Sequence, residues 1–211
     1  MDHDNKYIDL PVSEFTALLS SSAPAPGGGG ASALAAALGA ALGSMVGELS
    51  VGKKKCAENA PRLRELIAQA QSLRARLLEL VDGDAEAFLP LAEAYRLPKD
   101  APGRDETMEK CLVAAAAVPM EILELSCRVI ALQEEFAAMG SSLAISDAGT
   151  GAVFGWAAVH GAALNVLVNT RLMSDRERAE EMNRQADALT QEYSRRAERV
   201  YNDVFARLRD K

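Results

Sequence analysis

Two aspartates, Asp84 and Asp147, and two asparagines, Asn165 and Asn169, are the side chains of this 211-residue chain whose types and surroundings suit chemistry. Asp84 and Phe88 stand four positions apart in VDGDAEAFLP, so a helix here sets a carboxylate beside an aromatic wall, an arrangement suited to a polar planar ring. Asp82 and Glu86 make the neighbouring acidic pair, of a kind that is ordinarily solvated. Asn165 and Asn169 repeat the four-residue spacing within a stretch, residues 148–170, that carries no formal charge. Two carboxamides on one face of an apolar helix must find partners if they are buried. His160 lies five positions before Asn165 and points away from it, either as a satisfied core or interface histidine or as a ligand contact. Asp147 stands where that helix begins, so structural capping competes directly with a role as a base.

The stretch PAPGGGGASALAAALGAALGSMVGELSVGKKK, residues 24–55, is the second concentration of information. Gly27, Gly28 and Gly29 open a run whose backbone amides, with the helix N-terminus behind them, can receive an anion or the edge of a polar heterocycle. The run lacks the GK[ST] of a phosphate loop and the strand of a dinucleotide fingerprint, so neither nucleotide motif is assigned. Gly39, Gly43 and Gly47 recur every fourth residue and form a face almost without side chains, open either to a neighbouring helix or to a planar ligand. Lys53, Lys54 and Lys55 complement the negative end of that helix, and could also hold a carboxylate-bearing ligand.

The elements that must position these residues read as helices throughout. A short helix over Val12 to Leu19 acts as a lid or brace, and a first core helix runs from about Ala31 to Val51 with a break at Gly52. A long amphipathic helix follows Pro61, with Pro90 and Pro98 disturbing its end. The next runs from about Asp105 to Gly140 and bends at Pro119, and the uncharged helix after Asp147 follows. Last comes a charged cover helix opened by a Ser174–Glu177 capping box, with Met182, Leu189, Tyr193, Val200, Val204 and Leu208 along one stripe. No strand pattern competes, so the expected fold is all-α, a single antiparallel multi-helix bundle over residues 1–211.

Composition narrows the function. The chain is 49% hydrophobic and 25% charged, enough for one sizeable core, and its net charge of −7 argues against a nucleic-acid surface. Three cysteines without CxxC spacing argue against a disulfide scaffold or zinc site and for a reducing compartment. No signal-peptide pattern opens the chain, and its two uncharged runs are read as central helices of a soluble bundle rather than membrane spans. The expectation is a cytoplasmic protein without membrane or nucleic-acid partners.

SSSAPAPGGGGASALAAALGAALGSMVGELSVGKKK, DGDAEAFLPLAEAYRLPKD, ISDAGTGA and HGAALNVLVNTRL, taken in this order, resemble the cyclodeaminase and methenyltetrahydrofolate cyclohydrolase family, which includes the C-terminal domain of bifunctional formiminotransferase-cyclodeaminases. The resemblance spans nearly the whole chain. It implies a helical bundle, usually a homodimer, that binds a tetrahydrofolate derivative with one or more glutamates in its tail, and it implies no further cofactor and no metal. Carried onto this sequence, it makes Asp147, Asp84, Asn165 and Asn169 the catalytic candidates. Asp147 or Asp84 is the base or the partner of the substrate's positive charge, and the asparagines orient the ring or the attacking water. Gly27, Gly28 and Gly29 leave room for the ring, Lys54 and Lys55 hold the tail, and Phe88, Ser146 and His160 complete the expected substrate contacts. One departure is Ser141, where the family commonly has asparagine. The implied reaction is interconversion of 5,10-methenyltetrahydrofolate and 10-formyltetrahydrofolate. Formimidoyltetrahydrofolate cyclodeamination with release of ammonia is the alternative, and a non-catalytic folate-binding module or helical scaffold the third reading. The lack of an attached formiminotransferase domain in this chain favours the cyclohydrolase.

Overall fold

The computed structural model describes residues 6–210. Six α-helices follow one another: α1 (Val12–Leu19), α2 (Gly28–Ser50), α3 (Ala60–Tyr95), α4 (Arg104–Met139), α5 (Ile145–Thr170) and α6 (Arg176–Arg209), with short 3-10 turns at Tyr7–Asp9, Lys54–Asn59 and Ser142–Ala144. No strand occurs among the described residues. The helices form the expected bundle, in which α2 packs on α3 and α5, α4 on α3 and α5, and α6 covers α5 and α4. Cross-helix contacts fix the directions. Gly30 meets Val81 and Gly47 meets Ile67, so α2 runs antiparallel to α3, whereas the C-terminal ends of α3 and α5 lie together beside the start of α2.

The glycine seam is a helix-packing surface. A Cβ on Gly39 would come within 2.9 Å of the Gly151 carbonyl, one on Gly43 within 2.6 Å of Gln133 Nε2, and one on Gly47 within 2.8 Å of Phe136. Fully buried Gln133 donates from Nε2 to the Gly39 carbonyl at 2.8 Å and lies against Gly43 and Gly151. Close helix approach therefore accounts for the spacing of these glycines, and none of the three lines the cavity described below. The remaining core is aliphatic: Leu63, Leu66, Leu77, Ile122, Leu123 and Ile130 are fully buried.

Several boundaries differ from the sequence expectation. Gly28 to Gly30 form the first turn of α2 instead of a loop ahead of it. Proline is tolerated in a first turn, where Pro61 sits, but α3 also continues through the exposed Pro90 to Tyr95. Asp147 lies in the first turn of α5, which begins at Ile145, and is not its cap. The cap of α6 is Asp175, accepting from the Arg178 N–H at 3.0 Å, while the Ser174 N–H donates to Glu109. Asp82 is not a solvated surface carboxylate. It is buried and accepts the Tyr7 N–H at 2.6 Å, which ties the N-terminal segment to α3. Both α2 and α5 are long and apolar enough to cross a membrane by length and composition, yet α3, α4 and α6 pack against them. All three cysteines are free. Cys56 and Cys127 are buried, and burial first, with Glu192 and Glu124 next, pushes the Cys127 thiol up to about 12.

Candidate active site

A cavity of about 330 Å³ opens where α3 and α5 end and α2 begins. Two stripes form its walls. Asp84, Phe88, Leu91 and Tyr95 recur at helical spacing on α3, and Asn165, Val168 and Asn169 do so on α5, continued past its end by Leu172. Pro24, Ala25, Gly27 and Gly28 close one side, Ala115 contributes from α4, and Arg171 lies directly after the last residue of α5.

At the polar end, Asp84 Oδ2 accepts the Gly30 N–H at 3.0 Å. That amide belongs to the first turn of α2, where helical N–H groups lack intrahelical partners and attract negative charge. Burial pushes the Asp84 carboxyl above its ordinary value, and the Gly30 hydrogen bond opposes the shift without cancelling it. Gly29 permits this arrangement, because a Cβ there would overlap the Asp84 carboxylate. Gly28 has the same relation to Asn165, whose Nδ2 would lie 2.9 Å from an added Cβ. The glycines thus bring the helix N-terminus against the two polar side chains.

The asparagines are held by backbone. Asn165 Nδ2 donates to the Gly161 carbonyl at 2.8 Å, and the nearly buried Asn169 donates from Nδ2 to Ala115 O at 3.0 Å and Asn165 O at 2.9 Å. With both Asn169 N–H bonds engaged, its carbonyl oxygen is the group left to accept from a ligand. The cavity therefore offers an elevated carboxylate, two fixed carboxamides and an aromatic-aliphatic wall, a set suited to a polar planar ring and to proton transfer.

Of the candidates from the sequence, Asp84, Phe88, Asn165, Asn169, Gly27 and Gly28 line this cavity, and Gly29 backs Asp84. The others lie elsewhere in the molecule. Asp147 is half-buried about 27 Å from Asn165 along α5, at 1.5 Å per residue. Ser146 lines a separate apolar groove with Tyr201, Val204 and Phe205. His160 is exposed, 2.9 Å from Ser194 Oγ and edge-on to Trp156. Lys54 and Lys55 are exposed beyond the far end of α2, roughly 33 Å from the cavity by the same rise. Beside them Lys53 Nζ donates to Ser141 Oγ at 2.9 Å, and the Ser141 N–H donates to Ser50 Oγ, so the departing serine belongs to this far end. Leu91, Tyr95, Arg171 and Leu172 were missed. Leu91 and Tyr95 continue the Asp84–Phe88 spacing, a signal hidden by reading Pro90 as a break.

Among the described residues no group of three or more His, Cys, Asp or Glu side chains could hold a metal ion. Fold and cavity together define a helical-bundle protein with a polar, aromatic-walled pocket at the converging helix ends. The family model for formiminotransferase-cyclodeaminase matches residues 11–188, and the chain belongs to that family. It is 37% identical to the methenyltetrahydrofolate cyclohydrolase of Methylorubrum extorquens, over 93% of this chain and 97% of the relative. It is 33% identical to the mouse formimidoyltransferase-cyclodeaminase over 97% of this chain but only 38% of that longer protein. Among solved structures, the formiminotetrahydrofolate cyclodeaminase of Thermotoga maritima superposes with a TM-score of 0.82 at 25% identity, over 93% of this chain and 98% of the other.

Proposed function

We propose that the protein is an enzyme that interconverts 5,10-methenyltetrahydrofolate and 10-formyltetrahydrofolate. The observation that carries the reading is Asp84, a carboxylate raised by burial, anchored by one backbone N–H and placed in a cavity with two carboxamides. The methenyl carbon bridges N5 and N10 as an electrophilic amidinium, so hydrolysis needs an activated water and control of a tetrahedral intermediate. Water oxygen bonds to that carbon as Asp84 takes one water proton. The carbon–N5 bond then breaks, N5 takes a proton, and the formyl group remains on N10, with one proton released overall. Asn165 and Asn169 orient the ring or the water, and Phe88 flanks the ring. Asp147 has no part in this sequence within one protomer, because it lies at the opposite end of α5.

Cyclodeamination is the second reading, favoured by the likeness to the Thermotoga structure and the mouse protein. One purified preparation assayed with both substrates, following methenyl absorbance and ammonia together, separates the two. Methenyl loss without ammonia formation from the formimidoyl compound supports the cyclohydrolase; efficient ammonia release with negligible methenyl hydrolysis reverses the choice. Inactivity on both leaves a folate-binding module or scaffold.

The same proposal includes a cytoplasmic homodimer that works without metal or added cofactor. Support for the dimer comes from exposed apolar side chains on the central helices, Leu38, Met45 and Leu49 on α2 and Trp156 and Leu164 on α5. Further glutamates of a polyglutamate tail would leave by the open end of the groove, out of reach of Lys54 and Lys55 in the same protomer.

A further inference from the structure

The cavity changes character along its length. Asp84, Asn165 and Asn169 supply its polar groups, Phe88, Leu91 and Val168 an apolar stretch of wall, and Tyr95 and Arg171 stand at the C-terminal ends of α3 and α5. From Asp84 to Tyr95 the α3 stripe spans about 16 Å. Arg171 is the one cation among the residues lining the cavity. It is exposed, and its guanidinium makes no hydrogen bond or ion pair with any described side chain; exposed Arg64, Arg74 and Arg128 are likewise without such partners, but none of them lines the cavity.

A basic residue at the end of a helix ordinarily serves the last carbonyls and the dipole. At α5 that task falls to Arg176, whose Nη1 donates to Thr170 O at 3.0 Å and Met173 O at 3.3 Å. Arg171 is therefore not needed for that task. Asp84, the acidic residue of the cavity lining, is held to the start of α2 by Gly30. An open guanidinium beside an apolar trough is suited to a carboxylate carried on an aromatic stem, because its planar fork pairs with both carboxylate oxygens.

Resting on the folate reading above, we propose that Arg171 is the specificity-determining residue that binds a carboxylate of the substrate's glutamate tail. The pterin then lies toward Asp84 and Asn165, and the aminobenzoyl ring lies along Phe88, Leu91 and Tyr95. Lys54 and Lys55, which the sequence offers for the tail, stand at the opposite end of α2.

The test is a cycle between enzyme and substrate. Wild type, R171Q and R171K are assayed with 5,10-methenyltetrahydrofolate and with 5,10-methenyltetrahydropteroate, which lacks the glutamate. Expected is an R171Q penalty in kcat/KM about 10- to 100-fold larger for the glutamate-bearing substrate, expressed in KM, with partial recovery in R171K, which keeps the charge and loses the fork. Equal penalties on the two substrates, or no penalty on either, overturn the assignment while leaving the folate reading in place. A wild-type enzyme that neither binds nor turns over either compound overturns both.

Discussion

Two influences act on Asp84 in opposite directions: burial disfavours the charged form, and the Gly30 N–H favours it, with burial the larger. A carboxyl raised above its ordinary value is a stronger base once ionised. The acidic limb of the kcat/KM profile is therefore expected at a pH above the ordinary aspartate value, and D84N should abolish that limb along with about 100-fold or more of turnover. Retained wild-type turnover in D84N would remove Asp84 from the chemistry. The same shift has a consequence for stability. Because the folded state holds this proton more tightly than the unfolded chain, Asp84 is least costly at low pH, and its contribution worsens as pH rises through the folded value. D84N is thus expected to match or exceed wild-type Tm at neutral pH, with the difference shrinking toward pH 4. A D84N protein less stable than wild type at neutral pH would instead show that the carboxylate holds α2 to α3.

For the element, the decisive join is the first turn of α2 against α3 and α5. G29A adds only a methyl group, but it must push the Asp84 carboxylate away from the Gly30 amide. Displacement of a reacting group by about 1 Å costs on the order of 100-fold in rate, so G29A should lose activity on that scale while remaining helical by circular dichroism. G83A, at a helical glycine outside the cavity lining where an added Cβ meets only Leu80 at 3.7 Å, is the matched control and should lose far less. In the seam, G151A drives a methyl to 2.7 Å from Gln133 and should destabilise by about 1–3 kcal/mol, read as a Tm several degrees lower in calorimetry. How far the sequence disclosed these features follows from their physics. Apolar periodicity and glycine spacing are local, so the helices and the bare glycine face were legible, but whether that face met a helix or a ligand was not. The meeting of Asp84, Asn165 and Asn169 was accessible through the resemblance of their motifs. Where each lysine and Asp147 would lie was not, because GKKK and SDAG sit at the ends of helices whose directions are settled only by packing. Pro90 misled for a related reason: an exposed proline can be accommodated when the rest of a long amphipathic stripe is buried.

Across the whole molecule, the unusual feature is that the two most apolar helices are not fully covered by their own chain. Leu38, Met45 and Leu49 fall on one side of α2 at intervals of seven and four, and Leu38 and Leu164 are 48% and 67% exposed. Such faces persist in a soluble protein when another surface covers them, and a second copy with the same exposed faces can do so through a two-fold interface. A charge placed there is repeated across the interface and loses hydration on association. In sedimentation velocity at micromolar concentration, wild type is expected to run as a dimer. L38E and L164E, assayed separately, should identify the buried helix: the variant that weakens the dimer by 10-fold or more in Kd, with unchanged helical content, marks the interface. A wild-type monomer, or a dimer indifferent to both substitutions, would reject this surface. Recovery of the monomer on lipid vesicles would assign the apolar faces to a membrane instead.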